Sequence, residues 1–172
     1  LTRRIEQVLA LARGDANPNA REIVDLPTVV RAGIEACSPL AQTQGIAVSL
    51  TAPDQVWCLA TTGSVARCVD EVLGNALTYA RSGIDVSLGV DDSMAVLTVH
   101  DDGPGVPSDE LAGILNRFTR ASTAVPGGSG LALAMVRESV DDSGGSVQVN
   151  SPPDGGLMVT LRWPLAHQPD PG

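Results

Sequence analysis

Three short stretches between residues 71 and 131 hold the side chains and backbone groups best suited to chemistry. In the first, Glu71, Asn75 and Thr78 stand at i, i+4 and i+7, so on a helix they share one face. A carboxylate and an amide facing inward one turn apart cost stability unless something pairs with them. A hydrated Mg²⁺ meets that need, since it takes few direct oxygen ligands, keeps waters and favours nucleotide phosphates. In the second, Asp101-Asp102-Gly103-Pro104-Gly105, a carboxylate stands where an alternating strand stops. It can accept a hydrogen bond from an exocyclic amine such as adenine N6, and the glycines after it let backbone approach a flat ring. In the third, Gly127-Gly128-Ser129-Gly130-Leu131 opens a helix, where unpaired N–H groups and the helix dipole favour an anion. Each stretch alone has an ordinary alternative. Polar residues at a helix margin are commonly just solvated, Asp-Gly and Pro-Gly make plain turns, and a lone glycine run is weak evidence.

The surrounding pattern supplies the elements that would position these groups. Leu1, Ile5, Val8, Leu9 and Ala12 form a helical stripe that the turn-forming Gly14–Pro18 ends. A second helix is expected from near Pro27 to Gln44, then short strands at Ile46–Thr51 and Val56–Ala60. Thr62–Ala80 carries a broad apolar face of Val65, Cys68, Val69, Val72, Leu73, Ala76 and Leu77. Ile84–Val90 and Met94–His100 alternate about an Asp91-Asp92 turn. A Gly/Pro/Ser/Asp-rich stretch from Asp101 to Ser129 contains one helical piece around Leu111–Phe118. Leu131–Val140 reads as a helix, and Ser146–Asn150 and Leu157–Trp163 as a last pair of strands. The order predicts one α/β domain with helices packed on one face of a mixed sheet.

Composition narrows the partners. The 172 residues suit one domain and carry a net charge of −9, with arginine as the only basic side chain apart from two histidines. Long-range attraction to a nucleic acid or an anionic membrane would have the wrong sign, so neither is expected as a partner. Without lysine there is no Walker A loop, and without an early βαβ unit no dinucleotide fingerprint. Only Trp57, Trp163, Tyr79 and Phe118 are aromatic, which leaves the core to aliphatic residues. Cys37, Cys58 and Cys68 lack metal or redox spacing and read as small core hydrophobes in a reducing cytoplasm.

Taken together in this order, the stretches resemble the GHKL superfamily, which joins gyrase-, Hsp90- and MutL-type ATPases with histidine kinases. Residues 71–79 resemble its N box, 101–105 its DxGxG box and 127–133 its GxGLxL box. Leu115-Asn116-Arg117-Phe118-Thr119-Arg120 resembles the F box of the sensor histidine kinases, and the residues from Ser143 to Leu165 follow the kinase pattern. The resemblance covers roughly residues 27–165. It implies the ATP-binding catalytic domain of a two-component sensor histidine kinase: a Bergerat-type two-layer α/β sandwich, its mostly antiparallel sheet covered on one face by three helices. A lid over the nucleotide would span about 103–129.

The resemblance also implies roles. Asn75 would bind Mg²⁺, Tyr79 stack near adenine and Asp101 read the adenine amine, with Gly103 and Gly105 shaping the pocket floor. Gly128, Ser129, Gly130 and Leu131 would meet the phosphates of ATP. Arg117 or Arg120 would approach the γ-phosphate, Arg120 being preferred, and Glu71 would orient or deprotonate an incoming histidine or assist Mg²⁺ through a water. There are departures from the family pattern: Glu71 replaces a frequent Asn, Thr78 a common phosphate-facing Lys, Ala132 a glycine and Ser143 a frequent His. The phosphoacceptor motif is missing; His100 reads as an ordinary strand residue and His167 as part of a disordered tail at 166–172. Residues 1–13 resemble the end of a dimerisation helix, with Val8-Leu-Ala-Leu-Ala-Arg13 as its signature, and 14–26 read as a linker. The implied partners are the phosphoacceptor helix of the parent kinase, in a homodimer, and a response-regulator receiver domain. The implied setting is cytoplasmic, below a membrane-anchored sensor. Rival readings are an anti-sigma-factor-type serine kinase, a GHKL ATPase, and a nucleotide-binding pseudokinase scaffold.

Overall fold

The computed structural model of the chain describes residues 20–125, 130–168 and 170. The expected helix at 1–13 therefore lies outside the described residues, as do Gly128 and Ser129.

Strand β1 (Glu22–Asp25) leads directly into helix α1 (Leu26–Gln44). Pro27 in the first turn, where a missing N–H costs nothing, starts the helix. Gly45 ends it in the left-handed conformation (φ 69°), its N–H returning to the carbonyls of Ala41 and Gln42. Strands β2 (Ala47–Thr51) and β3 (Trp57–Ala60) follow, then helix α2 (Thr62–Tyr79). The seven apolar residues expected on one face of α2 are all buried. Strands β4 (Gly83–Asp91) and β5 (Met94–Asp101) form a hairpin. Helix α3 (Ala132–Asp142) and strands β6 (Ser146–Asn150) and β7 (Met158–Ala166) complete the fold.

The seven strands form one sheet in the order β1-β3-β7-β5-β4-β2, with β6 also on β7. Only β2 against β4 is parallel; the other neighbours are antiparallel. The three described helices cover one face, as the aliphatic patterning requires: Ile84, Val86 and Leu88 of β4 and Ala95, Leu97 and Val99 of β5 are buried at every second position. Leu161 and Trp163 of β7 fill the centre of the core with no exposure. Cys58 and Cys68 are buried and free, and desolvation pushes their thiols up to about 12 and about 11, so they act as packing groups.

Two stretches differ from the sequence reading. Residues 22–25, in the expected linker, form a strand that pairs antiparallel with β3 along four residues. A four-residue edge strand with one fully buried side chain, Val24, leaves little periodicity to read. The expected helical piece at Leu111–Phe118 shrinks to a single 3₁₀ turn, Leu111–Gly113. Gly113 favours no helix, and Phe118 takes a left-handed φ of 61°, which no continuing helix permits.

Candidate nucleotide site

At the end of the sheet where β5 stops, a cavity of about 350 Å³ opens between α2, the lid segment and the start of α3. Helix α2 contributes Glu71, Asn75, Thr78 and Tyr79, one per turn or nearly so, which is the face expected from their spacing. The same apolar stripe that buries Val72, Leu73 and Ala76 turns these polar residues toward the cavity rim.

Asp101 continues the inward alternation of β5 beyond Val99, so strand geometry puts its carboxylate on the helix side of the sheet. It is only 3% exposed. Its Oδ1 accepts hydrogen bonds from the backbone N–H of Gly103 (2.8 Å) and Leu157 (3.4 Å). Oδ2 has no hydrogen-bond partner among the described residues, and Asp101 lines the cavity. Burial raises the carboxyl above its ordinary value; the two N–H donors and His100 act against that, and Asp102 adds to it.

The adjacent Asp102 faces the other way and is exposed. Its two oxygens hold the backbone N–H groups of Arg81 (2.7 Å) and Ser82 (3.0 Å) and the Ser82 hydroxyl (2.6 Å). These bonds hold its carboxyl far below the usual carboxylate range. Asp102 thus clasps the turn after Tyr79, while Asp101 lines the cavity with one oxygen unpaired among the described residues.

The glycines that follow them, Gly103 and Gly105, are required by close approach. A Cβ on Gly103 would run into the Tyr79 carbonyl, and one on Gly105 (φ 72°) into Ser151 Oγ. On the far wall, Phe118 N–H donates to the Gly130 carbonyl (3.1 Å), and a Cβ on Gly130 (φ 71°) would press on the Thr119 carbonyl at 2.9 Å. The lid is further tied by Thr123 Oγ1 to the Gly105 carbonyl (2.7 Å), Ser122 N–H to Glu110 (2.7 Å) and Val125 N–H to the Tyr79 hydroxyl (3.3 Å).

The remaining expected residues divide. Arg120 lines the cavity, its guanidinium donating to the Val125 carbonyl. Arg117 does not line it; its guanidinium pairs with Glu138 of α3 at 2.6 Å, with both side chains more than half exposed. Leu131 sits at the N-cap of α3. Thr78 turns its hydroxyl back to the Gly74 carbonyl (2.9 Å). Residues that the sequence reading missed supply the apolar part of the wall, chiefly Val106, Ile114, Leu133 and Leu157. Ile114 lies in an irregular segment where no period marks it as inward-facing.

Among the described residues, no group of three or more His, Cys, Asp or Glu is arranged to hold a metal ion. Asn75 and Glu71 offer oxygens on one wall, a donor set that suits a largely hydrated Mg²⁺ arriving with phosphates rather than a protein cage. An apolar cleft with one buried, half-satisfied carboxylate at its floor and polar groups along a helix suits a flat base with an amine and a polyanionic tail.

A cleft of this form on an α/β sandwich defines a nucleotide-binding domain. The chain belongs to the histidine kinase-, DNA gyrase B- and HSP90-like ATPase family, whose sequence profile matches residues 61–167. Its relatives place it among the ATP-binding catalytic domains of two-component histidine kinases. It is 31% identical over 168 residues to a probable sensor histidine kinase HK of Mycobacterium tuberculosis, covering 95% of this chain and 43% of that protein. It is 38% identical over 100 residues to the signal transduction histidine-protein kinase AfsQ2 of Streptomyces coelicolor, covering 57% of this chain and 19% of that one. The chain thus spans less than half of either relative. Its fold matches the mycobacterial sensor histidine kinase MprB with a TM-score of 0.78 at 26% identity, covering 86% of this chain and all of that one. Full-length ShkA in complex with AMPPNP also matches at 0.78, with 27% identity, covering 98% of this chain and 36% of that one. No described helix is long and apolar enough to cross a membrane.

Proposed function

We propose that this domain binds Mg-ATP and donates its γ-phosphate to a histidine of the parent sensor kinase, which then serves a response-regulator aspartate. The observation that carries the reading is the buried Asp101 carboxylate, with Oδ1 satisfied by backbone and Oδ2 left for the cavity. An adenine amine donates to such an oxygen, whereas the carbonyl that guanine carries at the same ring position offers it no proton.

In this reading Tyr79 packs beside the base, with Gly103 and Gly105 admitting it, and Asn75 supplies one oxygen to Mg²⁺. The ion would neutralise charge on the β- and γ-phosphates. The N–H groups of Gly128, Ser129, Gly130 and Leu131 receive phosphate oxygens at the α3 N-terminus. Arg120, on the cavity wall, leaves the Val125 carbonyl to meet charge spreading over the transferred phosphoryl group; Arg117 serves the outer side of the lid through Glu138. Glu71 accepts the N–H of the incoming imidazole at the ring nitrogen opposite the attacking one, which fixes the tautomer. The nitrogen–phosphorus bond forms as the β–γ bridging bond breaks, and ADP leaves.

Dimerisation through an upstream phosphoacceptor helix, a receiver-domain partner and a cytoplasmic position below a membrane anchor belong to the same proposal. They rest on the similarity to sensor kinases. A pseudokinase scaffold is the second reading, favoured by Thr78: its hydroxyl is committed to Gly74, so this helix position supplies no cation to phosphates. Calorimetric titration with a non-hydrolysable ATP analogue, with and without Mg²⁺, tests the site. Saturable binding strengthened by Mg²⁺ is expected, and label should pass from ATP to the upstream histidine in a longer chain. Binding without any transfer of label would leave the scaffold reading, and absence of binding at millimolar analogue would overturn the nucleotide site.

A further inference from the structure

The loop joining β6 to β7, Ser151–Leu157, carries none of the motifs that mark the cavity, yet it is tied to the segment after β5 at several points. His100 Nε2 lies 3.0 Å from the Gly155 carbonyl, and because a carbonyl only accepts, the imidazole donates through that nitrogen. Gly156 N–H donates to the Gly103 carbonyl (3.0 Å). Ser151 Oγ accepts from Val106 N–H (3.1 Å) and donates to the Gly156 carbonyl (2.8 Å). Contact is close enough to exclude side chains: a Cβ on Gly156 (φ 78°) would overlap the Asp101 carbonyl.

These bonds lie beyond the last ladder pair of β5 and β7, His100 with Met158, so the sheet itself does not depend on them. What depends on them is the carboxylate. Leu157, at the end of the loop, provides one of the two N–H groups on Asp101 Oδ1. Gly103, held from behind by Gly156, provides the other. Leu157 is also held by the Asp101 N–H on its carbonyl (3.1 Å), so it is the Gly103 donor that moves if the loop swings away, leaving the carboxylate freer to rotate.

We propose that His100 and Ser151 are positioning residues for base recognition: they hold the 151–157 loop as a strap behind Asp101, so that Oδ1 stays occupied and Oδ2 alone addresses the base. The inference rests on Asp101 being the base acceptor. His100, on the outward side of the strand, and Ser151, 50 residues away in sequence, act on the ligand only through Asp101 and Gly105.

The test is calorimetric binding of ADP, GDP and pyrophosphate to the intact chain and to His100→Ala, His100→Gln and Ser151→Ala, with thermal midpoints measured alongside. Loss of a hydrogen bond worth about 1 kcal/mol to the bound geometry predicts ADP affinity about fivefold to tenfold weaker in His100→Ala and Ser151→Ala. GDP and pyrophosphate affinities should hold, so the ADP/GDP ratio falls. His100→Gln, whose amide can still donate, should recover most of the ratio. An unchanged ratio in both His100→Ala and Ser151→Ala overturns the strap, as does an equal loss for ADP and pyrophosphate. Failure of the unaltered chain to bind ADP would instead overturn the nucleotide reading on which the strap rests.

Discussion

The guanidinium of Arg117 grips both carboxylate oxygens of Glu138, with nitrogen–oxygen distances of 2.6, 2.7 and 3.0 Å, and so fastens the lid to the outer face of α3. Three residues later Arg120 lines the cavity. The proposed function therefore gives the two arginines of one motif separable tasks. Arg120→Gln should slow phosphotransfer about 100-fold or more while ADP affinity changes little, because its charge acts on the transferred group. Arg117→Gln should leave stability within about 1 kcal/mol, as for other exposed pairs, and the transfer rate near that of the unaltered chain. Single-turnover transfer from labelled ATP to the upstream histidine of a longer chain distinguishes them, and the reverse ranking would move the γ-phosphate role to Arg117.

Asn75→Ala should abolish the strengthening of ATP-analogue binding by Mg²⁺ and leave the thermal unfolding curve in place. Asn75 sits on the cavity wall beside Glu71 rather than in the packed stripe of α2, so truncation opens no void. Titrations with and without Mg²⁺ decide it. Undiminished Mg²⁺ dependence would place the ion elsewhere.

Asp101→Asn should weaken ADP more than GDP, since the replacement amide places a donor where the adenine amine needs an acceptor. The pH dependence follows from the same group. Its carboxyl titrates above its ordinary value, because burial penalises the charge. Bound adenine favours the ionised form, so ADP affinity should fall as pH drops toward that raised value, with a proton released on binding in the acid range. Buffer-dependent binding enthalpies measure this release, and Asp101→Asn should remove it.

Asp102 predicts the opposite sign for the fold. Its carboxyl is held well below its ordinary value by the Ser82 and Arg81 donors. The resulting stabilisation is present above the ordinary carboxylate range and fades as pH falls through and below it. Asp101, raised by burial, contributes stability that is fullest below the ordinary range and is lost as pH rises toward its folded value. Urea titrations of Asp102→Asn should therefore show a flatter acid limb than the unaltered chain. An identical limb would mean that the clasp on Ser82 does not form in solution.

Gly156→Ala tests the tightest approach behind the cavity. The added methyl would meet the Asp101 carbonyl, and the backbone there has φ 78°. A cost of about 2 kcal/mol or more is expected, together with weakened ADP binding. Denaturant unfolding and calorimetry on one sample measure both, and a neutral substitution would show that this contact is loose.

The polar face of α2 was legible because helix period and residue type agree: Glu71, Asn75, Thr78 and Tyr79 emerge from an apolar stripe and line one cavity. Asp101 was legible because strand alternation carries through to it. The strap was not. Ser151 and Gly156 contact Gly105 and Asp101 across some 50 residues of chain, and no local spacing encodes such a meeting. His100 read as an ordinary strand residue because its hydrogen bond is to a carbonyl of that same distant loop. Strand β1 escaped notice for a related reason, since its pairing with β3, not its own composition, makes it a strand.

That strand lies at the end of the sheet away from the cleft. β1 and β3 join the sheet at the Leu165–Ala166 end of β7, whereas Asp101 lies beyond its Met158 end. The nine residues of β7, about 30 Å of strand, run from those pairs toward the cleft. A rotation of about 20° about the Ala166 end of β7 would carry the cleft through about 10 Å without rearranging a single residue of the pocket.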